Sequence, residues 1–189
     1  MPSKAMTTHF FELLNDAQSG IAMQHLLVAQ GADQTLIECL SRSIIVSCVS
    51  AWEAYLEELV REAIELLKPV NSPVGSWPVF RATSLSLVGR FNTPNTDQVR
   101  NLFAEVLGLQ DIQQHWEWPG TTRSESRTKL HLIMDLRHQI AHGTRPRPII
   151  PAPDASDYRV FFAQVAMETD VALRNFLIAC GVAEPWPLY

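Results

Sequence analysis

Apolar residues return along most of this chain at three- and four-residue spacing, and no stretch alternates as a strand requires. A first helix is predicted from about Thr8 to Gln30, stopped by Gly31. A second, long helix follows over about Gln34 to Lys68, with Ile37, Leu40, Ile44, Cys48, Trp52, Tyr55 and Leu59 on one stripe. At 1.5 Å per residue it would run roughly 50 Å, the spine of the molecule, and Pro69 closes it. Residues 69–94 carry Pro69, Pro73, Pro78 and Pro94 and read as an irregular loop, anchored on the bundle by Trp77 and Phe80. A short helix spans Thr96 to Leu107 and ends at Gly108. Thr122 with Glu125 three residues on forms a capping-box pattern, opening a helix that Gly143 stops. Arg145 to Pro153 is proline-rich and predicted extended. A last helix, about Ser156 to Cys180, places Phe162, Val165, Ala172 and Phe176 on one face. The expectation is an all-α chain: one domain over residues 1–189, folded as an antiparallel bundle of about five helices.

Composition sharpens that picture. A chain of 189 residues, 47% apolar with eight Phe and five Trp, buries a sizeable core and is not disordered. Its cysteines, Cys39, Cys48 and Cys180, are odd in number and form no close pair, which suits buried thiols in a reducing compartment. The start, Met1-Pro2-Ser3-Lys4, leads into polar Thr7-Thr8-His9 rather than an apolar signal segment. Ser47, Ser50 and Glu53 interrupt the most apolar run, Ile44 to Leu56, so no membrane span and a cytoplasmic location are expected.

The net charge of −5 argues against a general nucleic-acid binder. Its distribution says more. Between Arg123 and Arg147 six basic residues face only Glu125 and Asp135, a local net of +4 that leaves −9 for the rest. The positive charge gathers around Leu136-Arg137-His138-Gln139-Ile140-Ala141-His142-Gly143, in which an arginine and a histidine stand in the spacing Arg-x4-His. At 100° per residue, Leu132, Ile133, Leu136 and Ile140 make the expected core face of that helix. His131, Asp135, His138 and His142 form a polar stripe opposite, and Arg137 points about 140° away from His142. A solvated face is the plain reading of such a stripe. Metal binding is the second, but His131 and His142 lie roughly 16 Å apart along the axis, too far to share an ion, and no H-E-x-x-H pattern occurs. Neither metal nor cofactor is expected.

The third reading is RNA cleavage. Attack of a 2′-hydroxyl on the adjacent phosphorus needs a base for its proton, an acid for the leaving 5′-oxygen and positive charge on the non-bridging oxygens. Imidazoles titrate near pH 6.5 and serve as either acid or base. Arginine stays charged and offers a forked donor to phosphate. One helix supplies one Arg–His pair, so a homodimer through this helix is expected, its cleft lined by the stripe.

The segment Arg137 to Gly143 resembles the signature of the HEPN superfamily: arginine, a polar residue, three more positions, then histidine, often with glycine after it. Val49-Ser50-Ala51-Trp52-Glu53-Ala54-Tyr55-Leu56 and the run from Phe91 to Phe103, followed by Gly108-Leu109, resemble its RiboL-PSP-type and MAE_28990-type bacterial branches. The resemblance covers about residues 40 to 143. It implies an all-α bundle that dimerises through the motif helix and cuts RNA without metal, leaving a 2′,3′-cyclic phosphate, in toxin–antitoxin or antiviral defence. It carries Arg137 and His142 over as the catalytic pair, His138 as the polar residue beside the arginine, and Glu53 as an acidic residue near the site. Some members carry a tyrosine two residues after the histidine, where a partner enzyme attaches a nucleotide; here that position is Thr144. The alternative to a ribonuclease is a non-catalytic module that binds RNA, a nucleotide or a partner protein. Trp116 and Trp118 are read as packing anchors rather than base-stacking platforms, and the tail from Ala183 to Tyr189 as docked on the bundle.

Overall fold

Asp33 begins the longest helix: its carboxylate accepts the Thr35 N–H at 3.0 Å, satisfying a donor that the first helical turn leaves open. In the computed structural model, which describes residues 2–69, 76–143 and 148–187, that helix is the axis of the bundle. A π-helical turn, Ala5–Phe10, leads into α1 (Phe11–Ala29), and α2 (Gln34–Leu66) follows. The remaining helices are α3 (Ser76–Val88), α4 (Thr96–Leu107), α5 (Arg123–Ala141) and α6 (Ala152–Ala179), with a 3-10 turn, Ile112–His115, before α5. The described residues contain no strand, only an isolated bridge between Trp118 and Thr121. α2 packs against each of the other five helices. By length and composition α2 is apolar enough to cross a membrane; here Ile44, Ile45, Cys48, Trp52, Tyr55, Leu56 and Leu59 place that apolar face in the core.

The centre of the core is aromatic. The Trp52 ring stacks on Tyr55 at 5.7 Å between centroids and meets Trp116 and Phe162 at 6.1 Å each. The polar atoms it buries are satisfied: Tyr55 donates to the Ala166 carbonyl at 2.9 Å, and the Trp116 indole N–H donates to Thr169 at 2.9 Å. Trp116 is fully buried and Trp118 lies against Phe161, so both are packing anchors as expected. The tail docks as well, with Trp186 buried and its carbonyl accepting from Arg174 Nε at 2.6 Å.

Four expectations need correction. The proline-bearing segment is not all loop, because α3 forms there: Pro78 sits in its first turn, where no backbone donor is needed. Within α3 Trp77 packs on the core, whereas Phe80 is exposed and leans on the Trp77 ring. The described residues therefore form six α-helices, in keeping with a bundle of about five. The extended stretch before α6 is shorter than expected, since α6 starts at Ala152 with Pro151 as its cap and Pro153 in its first turn. Only Cys48 is a buried thiol, its pKa pushed up to about 12 by desolvation against a smaller opposing pull from Arg159. Cys39, on the outer side of α2, and Cys180, at the end of α6, are exposed.

The fourth correction concerns α5. Its buried residues are Ser126, Leu130, Ile133 and Met134, while Leu132 is 57% exposed. Ile133 is buried and Leu136 and Ile140 pack against the core as expected, but the arc as a whole is rotated toward Leu130 and Met134, which leaves Leu132 outside. Ser126 takes an inner place because its hydroxyl donates to the Trp116 carbonyl at 2.6 Å. The rotation brings Arg137 to the middle of the inward arc.

The capping box at the start of α5 is complete: Thr122 Oγ1 accepts the Glu125 N–H at 3.3 Å, and the Glu125 carboxylate accepts the Thr122 N–H at 2.8 Å and its hydroxyl at 2.7 Å. The Thr122 hydroxyl and then its backbone N–H hold the Glu125 pKa below the ordinary range. Thr122→Ala is expected to destabilise the fold by about 1 kcal/mol, a Tm drop of about 2–4 °C. A depressed carboxylate contributes stability above its unfolded pKa and loses it as pH falls, so thermal melts should show the difference shrinking in acid.

Candidate active site on α5

α5 packs against α2, and its C-terminal end is exposed. His142 is its C-cap, with its N–H bonded to the His138 carbonyl at 3.0 Å, and Gly143 turns the chain away at φ 61°. That left-handed conformation suits glycine, which has no Cβ to clash. One turn apart on the helix, the His138 and His142 rings lie 4.2 Å apart between centroids, and both side chains are exposed. Further back on the same stripe His131 meets Asp135 at 3.5 Å. The polar stripe is therefore outward, as its spacing predicts.

Arg137 is half-buried on the inner side, beside Glu53 of α2. Burial raises the Glu53 pKa, and Arg137 and a hydrogen bond from the Thr93 N–H oppose the rise. Glu53 thus feels the charge of the motif arginine, with no hydrogen bond or ion pair between the two among the described residues, and accepts from the loop before α4. Its neighbour Trp52 grips the same loop by donating its indole N–H to the Pro94 carbonyl at 3.2 Å. Thr93 there has φ 55°, a left-handed conformation uncommon for a branched side chain, and the two α2 side chains hold the loop on either side of it.

The four candidate residues fall into two pairs. Arg137 is brought to Glu53, and His138 to His142. Among the described residues no hydrogen bond or ion pair joins Arg137 to His142. Leu132, misplaced by periodicity, lines an open groove of about 510 Å³ with Thr128, Lys129, Asp157 and Tyr158. A smaller groove of about 260 Å³ adjoins the end of the motif, between Arg42 and Ser43 of α2 and Gln139, Ile140 and Gly143. Nothing in the spacing of α2 marks Arg42 or Ser43, because they approach α5 only through the packing of the two helices. Of the basic cluster, Arg123 is tied to Asp111 and Lys129 lies over the Phe161 ring at 5.3 Å. Thr144, Arg145 and Arg147 lie outside the described residues. No group of three or more His, Cys, Asp or Glu among the described residues is arranged to hold a metal ion.

Glu53 offers a test of this arrangement. A carboxyl whose folded pKa is raised contributes stability that is complete below its unfolded pKa and is lost as pH rises through the folded one. Glu53→Gln is therefore expected to flatten the fall in Tm on going upward from the ordinary carboxylate range, near pH 4, toward neutrality. Melts of both proteins across that window check it, and parallel curves would contradict it.

The family model described as RiboL-PSP-HEPN matches residues 12–175, which takes in α1 to α5 and most of α6. No curated protein and no solved structure matches the chain. The match runs through the gripped loop, the α2 segment around Trp52 and Glu53, and the whole of α5, and on it the chain belongs to the RiboL-PSP-HEPN family.

Proposed function

We propose that the chain is a metal-independent endoribonuclease that cuts RNA by transesterification at Arg137 and His142. The observation that carries this reading is α5 of a HEPN-family chain ending in two exposed, adjacent imidazoles with the motif arginine on the same helix. In the reaction the ribose 2′-oxygen forms a bond to phosphorus and the bond from phosphorus to the 5′-oxygen breaks. The 2′-hydroxyl proton goes to a base and a proton from an acid goes to the departing oxygen. The products are a 2′,3′-cyclic phosphate and a 5′-hydroxyl. His142 exchanges one of these protons. Arg137 supplies fixed positive charge to the non-bridging oxygens. His138, against the His142 ring, supports it, and Glu53 orients the guanidinium.

Within one chain Arg137 and His142 diverge around the helix. A second copy packed on α5 brings a second pair to the same cleft, so the active form is a homodimer through this helix. The exposed Leu132 and the groove beside Tyr158 give that packing an apolar contact. Toxin or defence duty in the cytoplasm, with a protein antitoxin as partner, is the setting in which we place the activity. The test is cleavage of a mixed RNA pool in EDTA by the intact protein and by His142→Ala. Fragments with cyclic-phosphate ends from the intact protein alone support the reading. Salt-sensitive RNA binding with no product would favour a non-catalytic binding module instead.

A further inference from the structure

Two turns before His138 an open groove of about 420 Å³ lies between α4 and α5, lined by Thr96, Arg123, Ser124, Arg127, Thr128 and His131. Four of these six residues continue the polar stripe. At 100° per residue Ser124, Arg127, Thr128 and His131 fall within about 60° of the line through His138 and His142. No carboxylate lines the groove. The acids around its lining residues are engaged elsewhere: Asp111 with Arg123, Asp135 with His131, Asp97 with Arg100 and Glu125 with Thr122. Arg127 is different: it is half-buried, and no hydrogen bond or ion pair ties its side chain to any described residue. A guanidinium held by a helix in a hydroxyl-lined groove, with no acid facing it, suits the fork-like recognition of phosphate oxygens. The hydroxyls of Thr96, Ser124 and Thr128 add donors of the kind that contact nucleic-acid backbones.

We propose that this groove is a second phosphate subsite, in which Arg127 grips the backbone of an RNA strand whose cleaved bond lies at His142. The identity of the strand rests on the ribonuclease reading above; the anion chemistry of the groove does not. Arg127 and His142 are separated by about 22 Å along α5, the length of about six stacked nucleotides. A strand must be at least that long to occupy both places, so the groove makes the protein favour long RNA over short fragments. Arg127 is a positioning residue in this scheme, remote from the reacting atoms.

The test uses full-length His142→Ala protein, so that the probe survives, and fluorescein-labelled single-stranded RNA of about 12 and about 3 nucleotides, with binding read by anisotropy over a range of salt. Adding Arg127→Gln is expected to weaken the long RNA about 10-fold and to lower the slope of log affinity against log salt by about 0.7, the loss of one phosphate contact. Binding of the short RNA should not change, and Arg127→Lys should restore most of the slope. An unchanged affinity and slope for the long RNA overturns the subsite, as does an equal loss for the short one or no binding of long RNA by the parent. Inorganic phosphate that, at constant ionic strength, competes with the long RNA equally well with and without Arg127→Gln also overturns it, since the groove would then hold no phosphate. Cleavage by otherwise intact protein carrying Arg127→Gln is scored separately. Cleavage with an unchanged slope leaves the ribonuclease standing without the subsite, and a lost slope with no cleavage by any form does the reverse.

Discussion

His142→Ala is expected to lower RNA cleavage in EDTA by about 100- to 10,000-fold, the range contributed by one positioned proton-transfer group. Arg137→Ala should produce a loss of about 100- to 1,000-fold, as removing one donor to a developing negative charge does elsewhere. The double variant should be little worse than His142→Ala, because groups that act in one step are not additive. The two single variants differ in their effect on the fold. His142 is exposed at a helix end, so its loss should leave Tm unchanged. Arg137 is half-buried beside Glu53, and its removal leaves that carboxylate without its counter-charge, so Tm should fall. Gel analysis of labelled RNA with thermal melts of each protein measures both effects. Equal cleavage by the intact protein and both variants overturns the assignment, and activity that chelator removes would point to a metal-dependent reaction.

Trp52→Ala is expected to be the most damaging single change to the fold, at about 3–5 kcal/mol. Its ring is fully buried among Tyr55, Trp116 and Phe162, and its N–H is bonded to the Pro94 carbonyl. Alanine leaves a cavity at the centre of the bundle and an unpaired carbonyl in the loop before α4. Against a total stability of about 5–15 kcal/mol this is a large share, and Tm should drop by about 6–20 °C. Trp52→Phe keeps most of the volume but not the hydrogen bond, and should fall between. Calorimetry of the three proteins decides it. A loss below about 1 kcal/mol for Trp52→Ala would mean that neighbouring side chains collapse into the space.

The parts of this structure that are written locally were legible in the sequence. α4 runs from Thr96 to Leu107 with Gly108 after it, as expected, because both its ends are short-range hydrogen-bond patterns: Asn95 accepts from Gln98 N–H, and Gly108 takes the left-handed cap. The capping box of α5 is equally local. α2 was legible through its long apolar stripe. The failures came where a partner decides. Proline content spoke against α3, yet Pro78 falls in a first turn that tolerates it. Leu132 looked like core because it is apolar, but the packing of α5 against α2 and the stretch around Trp116 leaves it outside and takes Ser126 inside. The outward histidine stripe survived that rotation. The inward setting of Arg137 against Glu53 was not readable from one helix, because the two residues are far apart in sequence.

The contrast between an exposed His142 and an inset Arg137 has a genetic consequence. If the protein is the homodimeric ribonuclease proposed above and its activity harms its host, a selection for survivors should recover two kinds of protein. Changes at His142 would persist as abundant, well-folded chains that still pair with intact copies and occupy their substrate, so a single inactive allele would blunt an active one. Changes at Arg137 would remove the charge that opposes the half-buried Glu53 and would yield scarcer chains that interfere less. On that reading the shape of the bundle would set which escape from the activity is dominant and which is recessive.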